Sequence, residues 1–228
     1  EMRKFVMNAA YLAIFLAVIM TIVTCALCGS ILTWMKTPNQ FYQGAYDYLF
    51  VIFLGIPFTF LYNVVAGIIR SLGDSKTPFY FLVLSAVMNI FLDMLFIIVF
   101  KLGTAGAGWA TILSQAISGV LCFRYMKKKY DILKTNHQER RLDMHYIKTL
   151  FTMAVPMGLQ FSITAIGSIL LQSAVNTLGA VYVSAFAAAT KVKQLAMCPY
   201  DGFATASATF GSQNLGAGNL KRIREGLK

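Results

Sequence analysis

The chain has 228 residues, of which 57% are hydrophobic and only 13% are charged, and its mean hydropathy is +0.64. This balance excludes an ordinary soluble domain and indicates an integral membrane protein. The net charge is +11. Because the basic residues fall mainly between and outside the apolar segments, this charge is a signal of membrane orientation rather than of nucleic-acid binding.

Six long apolar segments follow one another, and each can cross about 30 Å of hydrocarbon as a helix. Their period is helical and lacks the alternation of a membrane β-barrel. The segments are Phe5 to Trp34, Tyr46 to Ile69, Phe79 to Phe100, Gly106 to Tyr125, Ile147 to Leu178 and Val181 to Phe210. Pro57, Pro156 and Pro199 lie inside three of them and favour kinks. The sequence therefore predicts an all-α integral membrane protein with six transmembrane helices.

Basic residues are concentrated in every second connection and at both ends of the chain, at positions 3–4, 70–76, 124–148 and 221–228. The intervening loops hold only Lys36 and Lys101. Because short basic loops stay in the cytoplasm, we expect both chain ends to be cytoplasmic in a multi-pass protein. The longest connection, from Lys127 to Tyr146, is predicted to be a cytoplasmic linker with four spans before it and two after it.

Asp93 is the only charged residue between Phe79 and Phe100. A charge near the centre of a membrane helix costs roughly 2.5 to 3.5 kcal/mol on insertion scales, so it normally faces a cavity or a partner. Asn89 lies one turn earlier on the same face, and a helical hairpin would bring Thr111 to a similar depth. These three side chains are predicted to form an oxygen-rich site for a cation or a proton. The alternative is a neutral, buried carboxyl group that bonds to a neighbouring helix.

Lys191 and Lys193 also fall well inside a predicted span. They could line a water-filled cavity or contact a substrate, or they could have a structural role only. Cys25 and Cys28 form a C-x-x-C inside an apolar helix, where packing is the better interpretation than metal or disulfide chemistry. His137, in the basic linker, is interpreted as solvated. No nucleophile and base pair of an enzyme is discernible, and no cofactor is expected.

The order of motifs resembles that of multidrug and toxic compound extrusion (MATE) transporters. The run YNVVAGIIRSLGDSKTPFYFLVLSAVMNIFLD, from Tyr62 to Asp93, is followed by GTAGAGWATILSQ from Gly103. After the basic linker come AVPMGLQ from Ala154, NTLGAVYVSAFAAATKV from Asn176 and GSQNLGAGNLKRIRE from Gly211. The family has twelve spans in two lobes, so the resemblance implies that this chain is a fragment holding family helices 3 to 8.

The resemblance also implies a division of the chain. Residues 1–126 would be the last four helices of the N-terminal lobe, and residues 127–146 the linker between lobes. Residues 147–228 would be the first two helices of the C-terminal lobe and the start of a cytoplasmic loop.

The DinF-like branch of the family places its coupling residues at positions that match Asn89, Asp93 and Thr111. Asn63 would be a further member of this site. The NorM-like branch has an acidic residue at the position aligned with Thr164. Because this chain has threonine there, the resemblance favours the DinF-like branch. Gln160 joins Thr164 and the two lysines as possible cavity-lining residues.

By this resemblance, the protein would export cationic or amphipathic small molecules by alternating access, coupled to H⁺ or Na⁺. Any metal would be a transported Na⁺ at Asp93. The protein would lie in the plasma membrane and be monomeric when full length. Two alternatives remain open from the sequence: a lipid-linked saccharide flippase of the same superfamily, and a non-transporting membrane scaffold.

Overall fold

A computed structural model of the chain describes residues 2–34, 39–131 and 141–226. In this part of the chain the ordered elements are all helices, which confirms the predicted all-α class. They are α1 (Met2–Trp34), α2 (Asn39–Leu54), α3 (Ile56–Ser71), α4 (Lys76–Asp93), α5 (Gly103–Lys129), α6 (Met144–Asn176), α7 (Ala180–Gly216) and α8 (Leu220–Gly226). A π-helical segment, Met94–Val99, continues α4.

Among the described residues, four helices are long and apolar enough to cross a membrane: α1, α4 with its π-helical segment, α5 and α6. The bent pair formed by α2 and α3 can supply a fifth span. The sixth predicted span exists as α7, a continuous helix of 37 residues. It does not reach the hydropathy of an ordinary span, because the strongly polar residues Lys191, Lys193, Gln194 and Asp201 lie inside it.

The helices fall into two compact units, 1–147 and 148–228. In the first unit α5 packs against α2, α3 and α4, and α1 packs against α2 and α3. Small residues make the central position of α5 possible: Gly108, Ala110 and Ser114 are all buried. Without large side chains at these positions the neighbouring backbones can approach closely, as is common between membrane helices.

Hydrogen bonds across the helix contacts hold this first unit together. The Ser118 hydroxyl donates to the backbone carbonyl of Phe81 at 2.6 Å, which joins α5 to α4. The Thr59 hydroxyl donates to the Gln115 side-chain oxygen at 2.6 Å, which joins α3 to α5. Such bonds matter in a membrane because no water is present to satisfy the same groups.

The second predicted span is bent, and the break lies at Gly55, inside the turn in which Pro57 cannot donate a backbone hydrogen bond. The two halves meet at an angle of 43°. Pro57 falls in the first turn of α3, where a helix tolerates its missing N–H. Gly55 is required at the bend because a Cβ atom there would lie 2.5 Å from Ile112 Cγ1 on α5. Close packing of the bend against α5 therefore explains the position of the break.

The predicted linker, 127–146, overlaps the ends of two described helices. Helix α5 continues through Lys129 and α6 begins at Met144, while residues 132–140, which include His137, lie outside the described residues. The C-terminal end of the linker, which belongs to the first unit, contacts α1. The Asp143 N–H donates to Asn8 Oδ1 at 2.9 Å, and the Tyr146 ring meets the Phe5 ring edge-on, with 4.6 Å between centroids.

The second unit contains most of α6, together with α7 and α8. Gly179 has a φ of 101° in the turn between α6 and α7, a conformation that favours glycine. Most of the described side chains of this unit are exposed; Asn214, which donates to the Phe210 carbonyl at 2.7 Å, is an exception. Pro156 and Pro199 lie within continuous helices.

Candidate functional site

Asp93 is the last α-helical residue of α4, and the π-helical segment begins at the next residue. Its Oδ1 atom is buried and has no hydrogen-bond partner among the described residues. An acceptor left in this state costs roughly 1 to 3 kcal/mol, and more when it is charged. Short π-helical insertions are frequent at functional sites because they change the direction in which side chains point.

Asn89 and Thr111 meet across the α4–α5 contact. The Asn89 side-chain nitrogen lies 3.4 Å from the Thr111 hydroxyl oxygen, which is a long hydrogen bond. The hydroxyl itself donates to the Ala107 carbonyl at 3.0 Å. The structure thus places these two predicted residues together, one helical turn from Asp93. Carboxylate, amide and hydroxyl oxygens are suited to a proton or to a small hard cation.

Asn63 lies on α3 and is exposed. Its amide nitrogen donates to the Thr59 carbonyl of its own helix at 2.9 Å. This hydrogen bond stays within α3, so it does not connect Asn63 to Asn89 or Asp93. The membership of Asn63 in the cation site stays a prediction.

The predicted residues of the second unit lie on two helices. Thr164 and Gln160 are exposed on α6, where the Thr164 hydroxyl donates to the Gln160 backbone carbonyl at 2.9 Å. Lys191 and Lys193 on α7 line a pocket of about 550 Å³. The role of all four residues as cavity-lining residues of a transport pathway stays a prediction.

Asp74 forms a cluster that the sequence did not single out. It lies in the turn between α3 and α4, and four groups donate hydrogen bonds to its carboxylate. The Thr77 N–H and hydroxyl do so at 3.0 and 2.7 Å, Lys129 Nζ at 3.1 Å and the Tyr130 hydroxyl at 3.0 Å. The spacing of Asp74 and Thr77 is a local signal of a helix start, but the α5 partners are distant in sequence.

The pKa of Asp74 is held below its usual range, first by the Thr77 backbone N–H and further by the hydroxyl, ammonium and phenol donors. Because the pKa is lower in the folded chain than in the unfolded chain, the stabilisation is complete above about pH 4 and is lost as the pH falls below that value. The turn is therefore held most firmly to α5 at neutral pH.

We expect Asp74→Asn to lower the stability of the protein by about 1 to 3 kcal/mol at neutral pH, because hydrogen bonds to a charged acceptor are lost. Thermal unfolding of the purified protein between pH 7 and pH 3 measures this. The difference from the wild type should shrink on acidification, because the Asp74 carboxyl group takes up a proton at a higher pH in the unfolded chain than in the folded chain. Asp47→Asn is the control, since the Asp47 carboxylate accepts a single exposed hydrogen bond from Gln43. A difference that does not change with pH would contradict the charge-based explanation.

In the part of the chain that the structure describes, no three or more histidine, cysteine, aspartate or glutamate side chains form a group that could hold a metal ion. Cys25 and Cys28 lie on α1 as free thiols. The oxygen-rich cation site at Asp93 is therefore the better candidate for function.

The apolar helices define a polytopic α-helical membrane protein. The MatE family model matches residues 1–95 and 156–228, so the chain belongs to the MatE family. Members of this family are transporters, and the chain is accordingly not an enzyme. The assignment to the DinF-like branch stays a prediction.

Two bacterial relatives illustrate the similarity. The probable multidrug resistance protein YpnP of Bacillus subtilis is 35% identical over 193 residues, covering 85% of this chain and 43% of the relative. The probable multidrug resistance protein YoeA of the same organism is 30% identical over 220 residues, covering 93% of this chain and 48% of the relative. The chain thus spans about half the length of the curated relatives it matches.

Solved structures share the fold. A MOP superfamily transporter from Pyrococcus furiosus matches with a TM-score of 0.89 at 24% identity, covering 97% of this chain and 50% of that structure. An outward-facing MATE family transporter of the MOP superfamily matches with a TM-score of 0.88, also at 24% identity, with the same coverage. The predicted helical architecture of a MATE transporter is confirmed by these matches.

Proposed function

We propose that this chain acts in a cation-coupled antiporter of the plasma membrane that exports cationic or amphipathic small molecules. Support for the substrate class comes from relatives named as probable multidrug resistance proteins. Support for the coupling comes from one observation: Asp93 Oδ1 is buried without a partner, one helical turn from the contact between Asn89 and Thr111. The coupling ion is H⁺ or Na⁺, and both chain ends are cytoplasmic.

The mechanism follows from the change in charge at Asp93. A proton or Na⁺ that enters from outside would give the orphaned carboxylate oxygen its missing partner, and Asn89 and Thr111 would supply neutral oxygens. Neutralising the site changes the hydrogen bonding at the junction of α4 with its π-helical segment. The bound ion stabilises one of two conformations more than the other, and this difference couples ion entry to alternating access.

Ethidium efflux from cells that express the gene encoding this chain tests the proposed activity. Loaded cells should lose the dye faster than cells with an empty vector, and dissipation of the H⁺ or Na⁺ gradient should remove the difference. A non-transporting scaffold would leave dye loss unchanged. Absence of any gradient-dependent efflux would therefore reject the transporter assignment.

We expect Thr111→Val to reduce this efflux partially, by about threefold to tenfold, because one of several neutral oxygens at the cation site is removed while the side-chain volume is kept. Initial rates of ethidium efflux at equal expression measure the effect. Thr33→Val is the matched control, since the exposed Thr33 hydroxyl likewise donates to a carbonyl of its own helix, at 2.9 Å from Gly29. Equal effects of the two substitutions would argue against a role of Thr111 at the site.

A further inference from the structure

The pocket of the second unit has an unusual distribution of charge. It lies between α6 and α7, and its charged lining side chains, within the described part of the chain, are both cationic. Lys191 and Lys193 flank a row formed by Thr190 and Gln194, and Ser168 contributes a hydroxyl from α6. The pocket thus combines two ammonium groups with neutral polar groups in a volume of about 550 Å³.

These two lysines lie deep along the helix. Lys191 follows Ala180, the first residue of α7, by about 16 Å at the usual helical rise. This is near the middle of a hydrocarbon layer about 30 Å thick when the start of α7 lies at its surface. A lysine at such a depth needs water, a carboxylate or an anionic ligand to remain charged.

No carboxylate of the described residues pairs with either lysine. The described ion pairs join Lys129 to Asp74 and Lys221 to Glu225, and both lie elsewhere. Asp201 follows Lys193 by eight residues, about 12 Å along the helix, which is beyond contact. The two ammonium groups therefore remain available to a ligand.

We propose that this pocket binds the acidic group of an amphipathic organic anion. Lys191 and Lys193 would hold a carboxylate or phosphate by charge-assisted hydrogen bonds, and Thr190 and Gln194 would add neutral donors. Leu171 and Phe186 give the same pocket an apolar surface for the body of the ligand. Binding of the anion stands apart from the proposed function; only the further step, that this anion is a transported substrate, rests on it.

Equilibrium binding of fluorescein tests the proposal without requiring transport. Fluorescein carries a carboxylate and a net negative charge, whereas rhodamine 6G has the same xanthene core and is a cation. With the purified protein in phosphatidylcholine nanodiscs, fluorescence polarisation should show saturable binding of fluorescein, and rhodamine 6G serves as the cationic dye whose binding does not depend on the two lysines. The double variant Lys191→Gln and Lys193→Gln should weaken fluorescein binding by about tenfold or more, because the charged donors are lost.

Two control variants separate the pocket from general charge effects. Lys148→Gln removes an exposed lysine of α6 that does not line the pocket, and it should leave fluorescein binding unchanged. The double variant Lys191→Arg and Lys193→Arg keeps the charge and should keep most of the binding. This variant also shows whether the positions tolerate substitution without loss of the fold.

The lipid composition of the nanodisc distinguishes two sources of the acidic group. If a lipid headgroup is the ligand, phosphatidylglycerol in the discs should compete with fluorescein and weaken its binding to the wild type. If a free small anion is the ligand, we expect no such effect. Both results support an anion site. The proposal is overturned if the wild-type protein does not bind fluorescein, or if the glutamine variant binds it equally well. Failure of ethidium efflux would reject the proposed function, and the binding result could still be interpreted independently.

Discussion

Asp93→Asn is expected to abolish gradient-dependent dye efflux while leaving the protein expressed and folded. Asparagine is close in size to aspartate, but it cannot take up a proton or carry the negative charge that attracts a cation. The variant also removes a negative charge from a buried position, while its amide leaves polar atoms there, so thermal stability should be little changed. Ethidium efflux at matched expression and thermal unfolding of the purified protein measure the two effects.

The control for this substitution is Asp47→Asn on α2, where the carboxylate accepts a hydrogen bond from Gln43 at 2.8 Å. It should leave efflux within about twofold of the wild type, as is usual for a partly exposed site outside functional machinery. Efflux that survives Asp93→Asn unchanged would remove Asp93 from the coupling mechanism. Loss of folding together with efflux would instead favour the alternative of a purely structural carboxyl group.

Gly55→Ala is expected to destabilise the protein by about 1 to 3 kcal/mol, the usual cost of adding a methyl group where none fits. The new Cβ would lie 2.5 Å from Ile112 Cγ1 and 3.1 Å from the Ile52 carbonyl oxygen. Ile112 is only 4% exposed, so its side chain has little room to move away. Thermal unfolding in detergent measures the loss.

Gly67→Ala is the matched control on α3, because a Cβ atom there meets nothing within 4 Å. It should be neutral or slightly stabilising, since alanine favours a helix. Adding Ile112→Ala to Gly55→Ala opens the space that the methyl group needs. The double variant should therefore lose less stability than the sum of the two single changes, and strict additivity would show that the clash is absent.

Hydropathy was sufficient to predict the class of the molecule and most of its helices, because a membrane span must be a continuous apolar segment. The positions of bends were less predictable. Pro57 is the local signal for this bend, but it does not indicate that Gly55 is needed two residues earlier, where the chain passes close to Ile112 of α5. This contact joins residues 57 positions apart, and a single sequence does not indicate which distant side chain will occupy the space.

The same distinction applies to the sites. The helical period places Asn89 beside Asp93, and counting residues from the hairpin places Thr111 at their depth, where the structure has it 3.4 Å from Asn89. The Asp74 cluster could not be anticipated, because Lys129 and Tyr130 reach Asp74 from the far end of α5. The functional roles of the predicted residues stay predictions, including those of Asn63, Gln160 and Thr164.

The π-helical segment after Asp93 was also beyond the sequence prediction. The run from Met94 to Val99 is uniformly apolar, and nothing in its composition distinguishes a π-helix from an α-helix. In the folded chain it packs beside α5, where a Cβ atom added at Gly106 would lie only 3.2 Å from Phe96 Cβ. Crowding at this end of the α4–α5 contact is therefore a tertiary effect, which the local sequence pattern does not predict.

Transport by purified protein in proteoliposomes tests the coupling at Asp93 most directly. With ethidium on one side, an inwardly directed H⁺ or Na⁺ gradient should drive the dye in the opposite direction, and one of the two ions should be sufficient. The Asp93→Asn protein in the same vesicles should show no response to either gradient. Dye movement that ignores both gradients in the wild type, or that responds equally in the variant, would contradict cation coupling through Asp93.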